Sequence, residues 1–236
     1  MNSIFSEKIR DRKGKAGITI IPDIKCISPK DGDLMRGRNP EDIALQLQKL
    51  GAPALSVVTE EKNFGGSMKL LESLAKIVNI PILRKDFINN KDDLKMTKDS
   101  GASAILLMCS VLPERLLTEL YEQALIIGLE PFVEAHSENE LQFADTLGAK
   151  LVGINNKNIL ELERDEGTVA ETSRLAQFAP KDATLVSESS ICSHAQALSA
   201  INAGADAVLV GTAILQAGDI KTGYNSICYG GNNKHA

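Results

Sequence analysis

The residues in this sequence best suited to chemistry stand at the ends of short apolar runs. They are Asp23, Lys25, Lys85, Glu134, Asn155 and Glu188. A lysine such as Lys85 is costly at the end of a buried strand unless it is paired or used. With Glu134 it makes a proton donor and acceptor able to work around one substrate. Asp23 and Lys25 lie two residues apart, which on a strand turns both to the same face. A salt-bridge layer is the competing explanation for any one pair. Several such groups, all at strand ends, favour a site. The sequences Ser187-Glu188-Ser189-Ser190 and Val210-Gly211-Thr212-Ala213 each lead straight into helical sequence. Free backbone N–H groups at such starts bind phosphate, with plain helix capping as the alternative. Phe64 and Phe87 fall in loops although aromatics are only 4% of the chain, and Leu106 and Met108 share one strand face. Together they suit a flat apolar slot for an aromatic ring, and ordinary core is the alternative for Leu106 and Met108.

Elements that could hold these groups recur along the chain. Gly51-Ala52, Gly101-Ala102, Gly148-Ala149 and Gly204-Ala205 each follow a helical pattern and precede an apolar run. That phrase fits a left-handed helix C-cap leading into a strand. The predicted strands are 18–26, 54–59, 80–84, 103–109, 129–134, 150–155, 183–188 and 206–211. Helices are expected over 39–50, 67–77, 90–99, 113–127, 137–147, 165–178 and 193–203, with a short amphipathic one around Ile4, Phe5 and Ile9. Eight strands alternating with helices imply a parallel sheet, and in one domain of this length a single (β/α)8 TIM barrel of the α/β class. A doubly wound open sheet is the alternative, but no Gly-x-Gly-x-x-Gly turn follows the first strand. The barrel is assigned to 18–217, an N-terminal extension to 1–17 and a loose Gly/Asn-rich tail to 218–236. The barrel fold puts its site at the carboxyl ends of the strands, where the ionisable groups fall, and its phosphate cradle after strands seven and eight.

Composition narrows the function. With 236 residues, 43% apolar, 24% charged and a formal net charge of −5, the chain reads as globular, and nucleic acid or an anionic membrane surface is not an expected partner. Four cysteines, Cys26, Cys109, Cys192 and Cys228, lack the spacing of a zinc or redox motif and read as free thiols of a cytoplasmic protein. No apolar stretch has the length of a membrane span, and the first ten residues lack a signal core. Without a His cluster, a catalytic metal is not expected.

Several blocks, in order, resemble the indole-3-glycerol phosphate synthase family. They are Asp23-Ile-Lys-Cys-Ile-Ser-Pro-Lys30, Ile82-Leu-Arg-Lys-Asp-Phe-Ile88, Phe132-Val-Glu-Ala-His136, Gly153-Ile-Asn-Asn-Lys-Asn158, Val186-Ser-Glu-Ser-Ser-Ile191 and Leu209-Val-Gly-Thr-Ala213. The resemblance spans roughly 18–217. It implies a lyase that closes the indole ring of 1-(2-carboxyphenylamino)-1-deoxyribulose 5-phosphate, with loss of carbon dioxide and water, in tryptophan biosynthesis. No cofactor is implied, and a monomer or weak homodimer is expected. By resemblance, Lys85 is the general acid, Glu134 the base of the dehydration, and Lys25 an aid to ring closure. Asn155 and Glu188 orient sugar hydroxyls, with Ser189 close by. Ser28, Ser190, Gly211 and Thr212 take the phosphate, while Phe64, Phe87 and Leu106 pack the aromatic ring.

Four features depart from the family pattern. Asp23 stands for Glu, Lys157 for Arg and Ser190 for Gly, and the segment before the first strand is short. In the family that segment carries a helix that helps cover the substrate. The departures leave two further readings: a paralogue acting on a related amino-sugar phosphate, and a non-catalytic barrel that binds a phosphate ligand.

Overall fold

The computed structural model describes residues 4–162, 164 and 167–230. Eight parallel strands close into a barrel: β1 (Ile20–Ile24), β2 (Leu55–Val58), β3 (Ile82–Lys85), β4 (Ala104–Met108), β5 (Glu130–Ala135), β6 (Leu151–Asn155), β7 (Thr184–Glu188) and β8 (Ala207–Val210). Each pairs with its sequence neighbours, and β1 closes on β8 with Ile20 opposite Val208. Every position in these strands is buried, which explains the near-continuous apolar runs.

The helices are α1 (Ile4–Arg12), α2 (Pro40–Lys49), α3 (Met68–Ile77), α4 (Lys91–Asp99), α5 (Glu114–Ile126), α6 (Glu138–Thr146), α7 (Ala170–Leu175), α8 (His194–Asn202), α9 (Thr212–Leu215) and α10 (Ile220–Tyr229). Asn39, Ser67, Asn90, Ser137 and Ser193 cap α2, α3, α4, α6 and α8, each accepting a bond from a first-turn N–H. Gly51, Gly101, Gly148 and Gly204 all have positive φ, as the Gly-Ala phrase predicts.

Alternation sorts the strand residues into two cores. Outward side chains pack under the helices. Inward ones, among them Ile21, Leu83, Leu106, Phe132, Val186 and Leu209, fill the barrel. The same alternation turns Lys85 inward and sends its neighbour Arg84 outward. There Arg84 donates to Thr59, Thr97 and Asp86, while Asp86 accepts from Thr59 and from the Phe87 N–H. The Arg-Lys-Asp-Phe block thus clamps the end of β3 and aims Lys85.

The amphipathic helix expected around Ile4, Phe5 and Ile9 is present as α1, whereas the C-terminal segment differs from expectation. Helix α1 closes the amino-terminal end of the barrel, opposite the mouth. Glu130, at the start of β5, accepts the Phe5 and Ser6 N–H groups at 3.0 and 3.2 Å, and Phe5 and Ile9 are fully buried in the barrel interior. Arg10 reaches Thr184 at the start of β7, and Lys13 pairs with Asp206 just before β8. Helix α1 is thus a plug for the barrel floor, at the end opposite the mouth. At the other end, the segment expected to be a loose tail forms α10, capped by Asp219. Its Ile220, Tyr224, Ile227 and Cys228 are buried, and His194 of α8 bonds the Ile227 carbonyl. A run of Ile, Tyr, Ile and Cys at helical spacing carried that signal, outweighed in the reading by nearby Gly and Asn. The expected helix over 165–178 is shorter, as α7 and a following 3-10 turn, and its start at Asp165 lies outside the described residues, as do 231–236.

Candidate active site

The inward residues at the carboxyl ends of the strands form one charged layer. Asp23, Lys25, Lys85, Glu134 and Glu188 are all buried there. Above them lies a cavity of about 330 Å³ lined by Asp23, Lys25, Lys85, Lys157, Ser189, Ser190, Gly211 and Thr212. A narrower cleft of about 30 Å³ opens from the same three residues, Asp23, Lys25 and Lys85, and runs between Phe64, Phe87, Leu106, Met108 and Glu134. A polar lobe and an apolar lobe therefore meet at two lysines and an aspartate.

Lys85 Nζ lies 2.6 Å from Glu188 Oε2, with the carboxylate fully buried. The lysine's direct ion partner is thus Glu188 on β7, where the sequence paired it conceptually with Glu134. Gly153 makes room for that carboxylate. A Cβ there would lie 2.5 Å from Glu188 Oε1 and 2.3 Å from Phe132 Cε1. Lys25 Nζ sits 5.5 Å from the centre of the Phe64 ring, a cation–π contact at the junction of the lobes. Glu134 is fully buried and neither of its oxygens has a hydrogen-bond partner among the described residues. The Asn155 amide nitrogen and one oxygen of Asp23 are likewise buried without a partner. Buried polar atoms are normally satisfied, so these three mark where a ligand's polar groups would complete the site.

The loop after β7 is strained. Ser189 and Ser190 have φ of 66° and 58°, left-handed values that non-glycine residues seldom adopt. Asn156 holds this turn. Its amide nitrogen donates to Ser187 Oγ and to the Glu188 and Ser189 carbonyls, while its oxygen accepts from Thr172 of α7. The sequence reading passed over Asn156 because it stands beside the inward-facing Asn155. The Asn-Asn pair is the signal that could have found it, one residue facing in and the next braced against a neighbouring element.

Most sequence-predicted residues line the two lobes. Asn155 and Glu188 lie beneath the cavity, outside its lining. Ser28 is buried but lines neither lobe, and its hydroxyl bonds Asp31 at 2.8 Å. That bond makes Ser28 a brace for the loop after β1, whose Lys30 and Asp31 do line the larger lobe. Asp23, Lys157 and Ser190 line the larger lobe, whereas α1 lies at the opposite end of the barrel. Cys109, at the end of β4, has its thiol pushed up to about 12 by burial and by the nearby Glu140 and Glu134.

A closed (β/α)8 barrel with buried acid, base and cationic groups at its carboxyl-terminal mouth, beside a turn built from two left-handed serines, has the architecture of a TIM-barrel enzyme. Comparison with known proteins narrows this. The family model described as indole-3-glycerol phosphate synthase matches residues 2–227. A protein of that name from Thermococcus kodakarensis is 42% identical over 200 residues, covering 85% of this chain and 87% of its own. One from Pyrococcus furiosus is 41% identical over 214 residues, 91% of this chain and 92% of its own. Another, indole-3-glycerol phosphate synthase 1 of Streptomyces coelicolor, is 38% identical over 215 residues, 91% of this chain and 79% of its own. The chain belongs to the indole-3-glycerol phosphate synthase family. Among the described residues, no helix is long and apolar enough to cross a membrane.

Proposed function

We propose that this protein is a carboxy-lyase that closes the indole ring of 1-(2-carboxyphenylamino)-1-deoxyribulose 5-phosphate, releasing carbon dioxide and water, in tryptophan biosynthesis. One observation carries the reading: the polar and apolar lobes meet at Lys25 and Lys85, with Glu134 on the wall of the apolar lobe. A substrate with a phosphorylated sugar at one end and an aromatic acid at the other spans that junction with its reacting carbons beside the lysines.

In this reading the phosphate sits over the N–H groups and hydroxyls of Ser190, Gly211 and Thr212, with Lys157 supplying charge. The ring lies between Phe64, Phe87 and Leu106. Lys25, stacked on Phe64, attracts the ring carboxylate toward the sugar. Lys85 protonates the ribulose carbonyl as the carbon–carbon bond forms, regains a proton from water in the larger lobe that it lines, and then protonates the departing hydroxyl. The carboxylate leaves as carbon dioxide, and its bonding electrons restore the ring. Glu134 takes the proton whose removal completes the dehydration. Asn155 and Glu188 hold the sugar hydroxyls, and Glu188 also keeps Lys85 aimed.

The test is to follow the fluorescence of the indole product as purified protein meets this substrate. Steady product formation supports the proposal, and no product at high enzyme concentration overturns it.

A further inference from the structure

One half-buried titratable group next to the site has no part in the scheme above. His136 follows β5 two residues after Glu134, so strand alternation stacks its ring over the same face at the barrel mouth. Its Nε2 lies 3.7 Å from Glu134 Oε1, and its Nδ1 lies 3.7 Å from Glu140 Oε2. The two ring nitrogens thus point to two different carboxylates. Glu134 is fully buried, whereas His136 and Glu140 are 19% and 25% exposed. The row Glu134, His136, Glu140 leads from a buried carboxylate to solvent.

The arrangement is built. Ser137 caps α6 and accepts the Glu140 N–H, while Glu140 Oε2 accepts the His136 N–H at 2.5 Å. Glu140 is thereby fixed on the far side of the imidazole. The three groups do not converge as a metal site would: no cluster of three or more such ligands occurs among the described residues. A distance of 3.7 Å is longer than a hydrogen bond, as acid–base pairs commonly are before substrate tightens the site.

We propose that His136 is the proton outlet of Glu134. This rests on the reading of Glu134 as the base. After Glu134 has taken the substrate proton, its O–H bond breaks, the electron pair stays on the carboxylate, and a new N–H bond forms at Nε2. Glu140 stabilises the imidazolium through Nδ1–H. The imidazolium then gives its Nδ1 proton to Glu140, whose carboxylate is 25% exposed and passes the proton to water at the mouth, and the ring turns back to its starting tautomer before the next cycle. His136 acts through Glu134 and is a positioning and relay residue.

The groups that face the imidazole are Glu134 from β5, Glu140 from α6 and, farther off, Glu188 from β7. Cys109 at the end of β4 adds no charge because its thiol is pushed up to about 12, and Lys25 and Lys85 share the Glu134 cleft. Burial works to lower the His136 pKa, but Glu140, Glu134 and Glu188 outweigh it and hold the group above the usual imidazole value. The relay needs neutral imidazole, so its rate falls as pH drops through that raised value.

The test uses the full chain and compares steady-state with single-turnover rates on the carboxyphenylamino-deoxyribulose phosphate. His136→Ala is expected to slow steady-state turnover about 10²-fold while the first turnover keeps its rate, with partial recovery on adding imidazole. His136→Gln, which keeps the side-chain bulk, is expected to remove the acid limb of the steady-state pH profile. Glu140→Gln is expected to slow turnover as well and to shift that limb to lower pH, because the outlet loses its acceptor and the imidazolium its partner. An unchanged steady-state rate in His136→Ala, or an unchanged acid limb in His136→Gln, overturns the proposal. Glu134→Gln keeps the two readings apart. If that variant is inactive while His136→Ala is normal, only the relay fails. If it turns over normally, Glu134 is not the base, and the reading beneath the relay fails with it.

Discussion

Replacing Gly153 by alanine adds one carbon where the barrel has no space for it. The new Cβ falls 2.3 Å from Phe132 Cε1, 2.7 Å from Phe132 Cζ and 2.5 Å from Glu188 Oε1. Phe132 is fully buried in the barrel interior and cannot swing away. Glu188 is held by Lys85 at 2.6 Å. Overpacking a well-filled core costs about 1–3 kcal/mol. For a domain of this size each kcal/mol lowers Tm by about 2–4 °C. A midpoint near 2 kcal/mol therefore predicts a Tm lower by roughly 6 °C. The softest of the three contacts is the carboxylate, so Glu188 moves and Lys85 moves with it. Turnover should then fall more than tenfold while substrate still binds, because the phosphate end of the cavity is untouched. Calorimetry and indole fluorescence on one preparation measure both effects. A Tm within 1 °C of the parent together with normal turnover would refute the claim that Gly153 is there to seat Glu188.

Two further outcomes follow from the barrel's opposite ends. Phe5→Ala empties a fully buried site in the floor plug and should cost about 3–5 kcal/mol, read by urea unfolding, with KM unchanged; a raised KM would mean α1 reaches the substrate. Ser190→Gly relieves a side chain at φ 58° and should raise Tm by about 2–4 °C, the left-handed cost less glycine's entropy. A lower Tm would mean that the serine side chain itself holds the turn.

The barrel was legible because two periodic signals agreed. The Gly-Ala phrase marked where four of the helices stop, and the buried parallel strands wrote themselves as apolar runs between turn signals. Asp23, Lys25, Lys85 and Glu134 were legible for the same reason, as charges in places where burial is expensive. What lay beyond reach was pairing across the barrel. Nothing local says that Lys85 meets Glu188, 103 residues away, in preference to Glu134. Gly153 looked like an ordinary strand residue, because its neighbours from β5 and β7 are distant in sequence. The N-terminal helix was visible as a pattern around Phe5 and Ile9, but which end of the barrel it closes depends on Glu130, a contact more than a hundred residues away. That the Ser28 hydroxyl bonds Asp31, in the turn that follows, was likewise not legible in the sequence.

The central claim is that Lys85 is the acid of a ring-closing lyase and that the cavity around it binds without it. The most direct measurement is the turnover of Lys85→Ala relative to the parent protein, taken with saturating carboxyphenylamino-deoxyribulose phosphate that equilibrium titration has shown to be bound. A loss of 10²-fold or more is expected, with the ligand still held by the phosphate end of the cavity. Turnover within a few fold of the parent, at full occupancy, would contradict it.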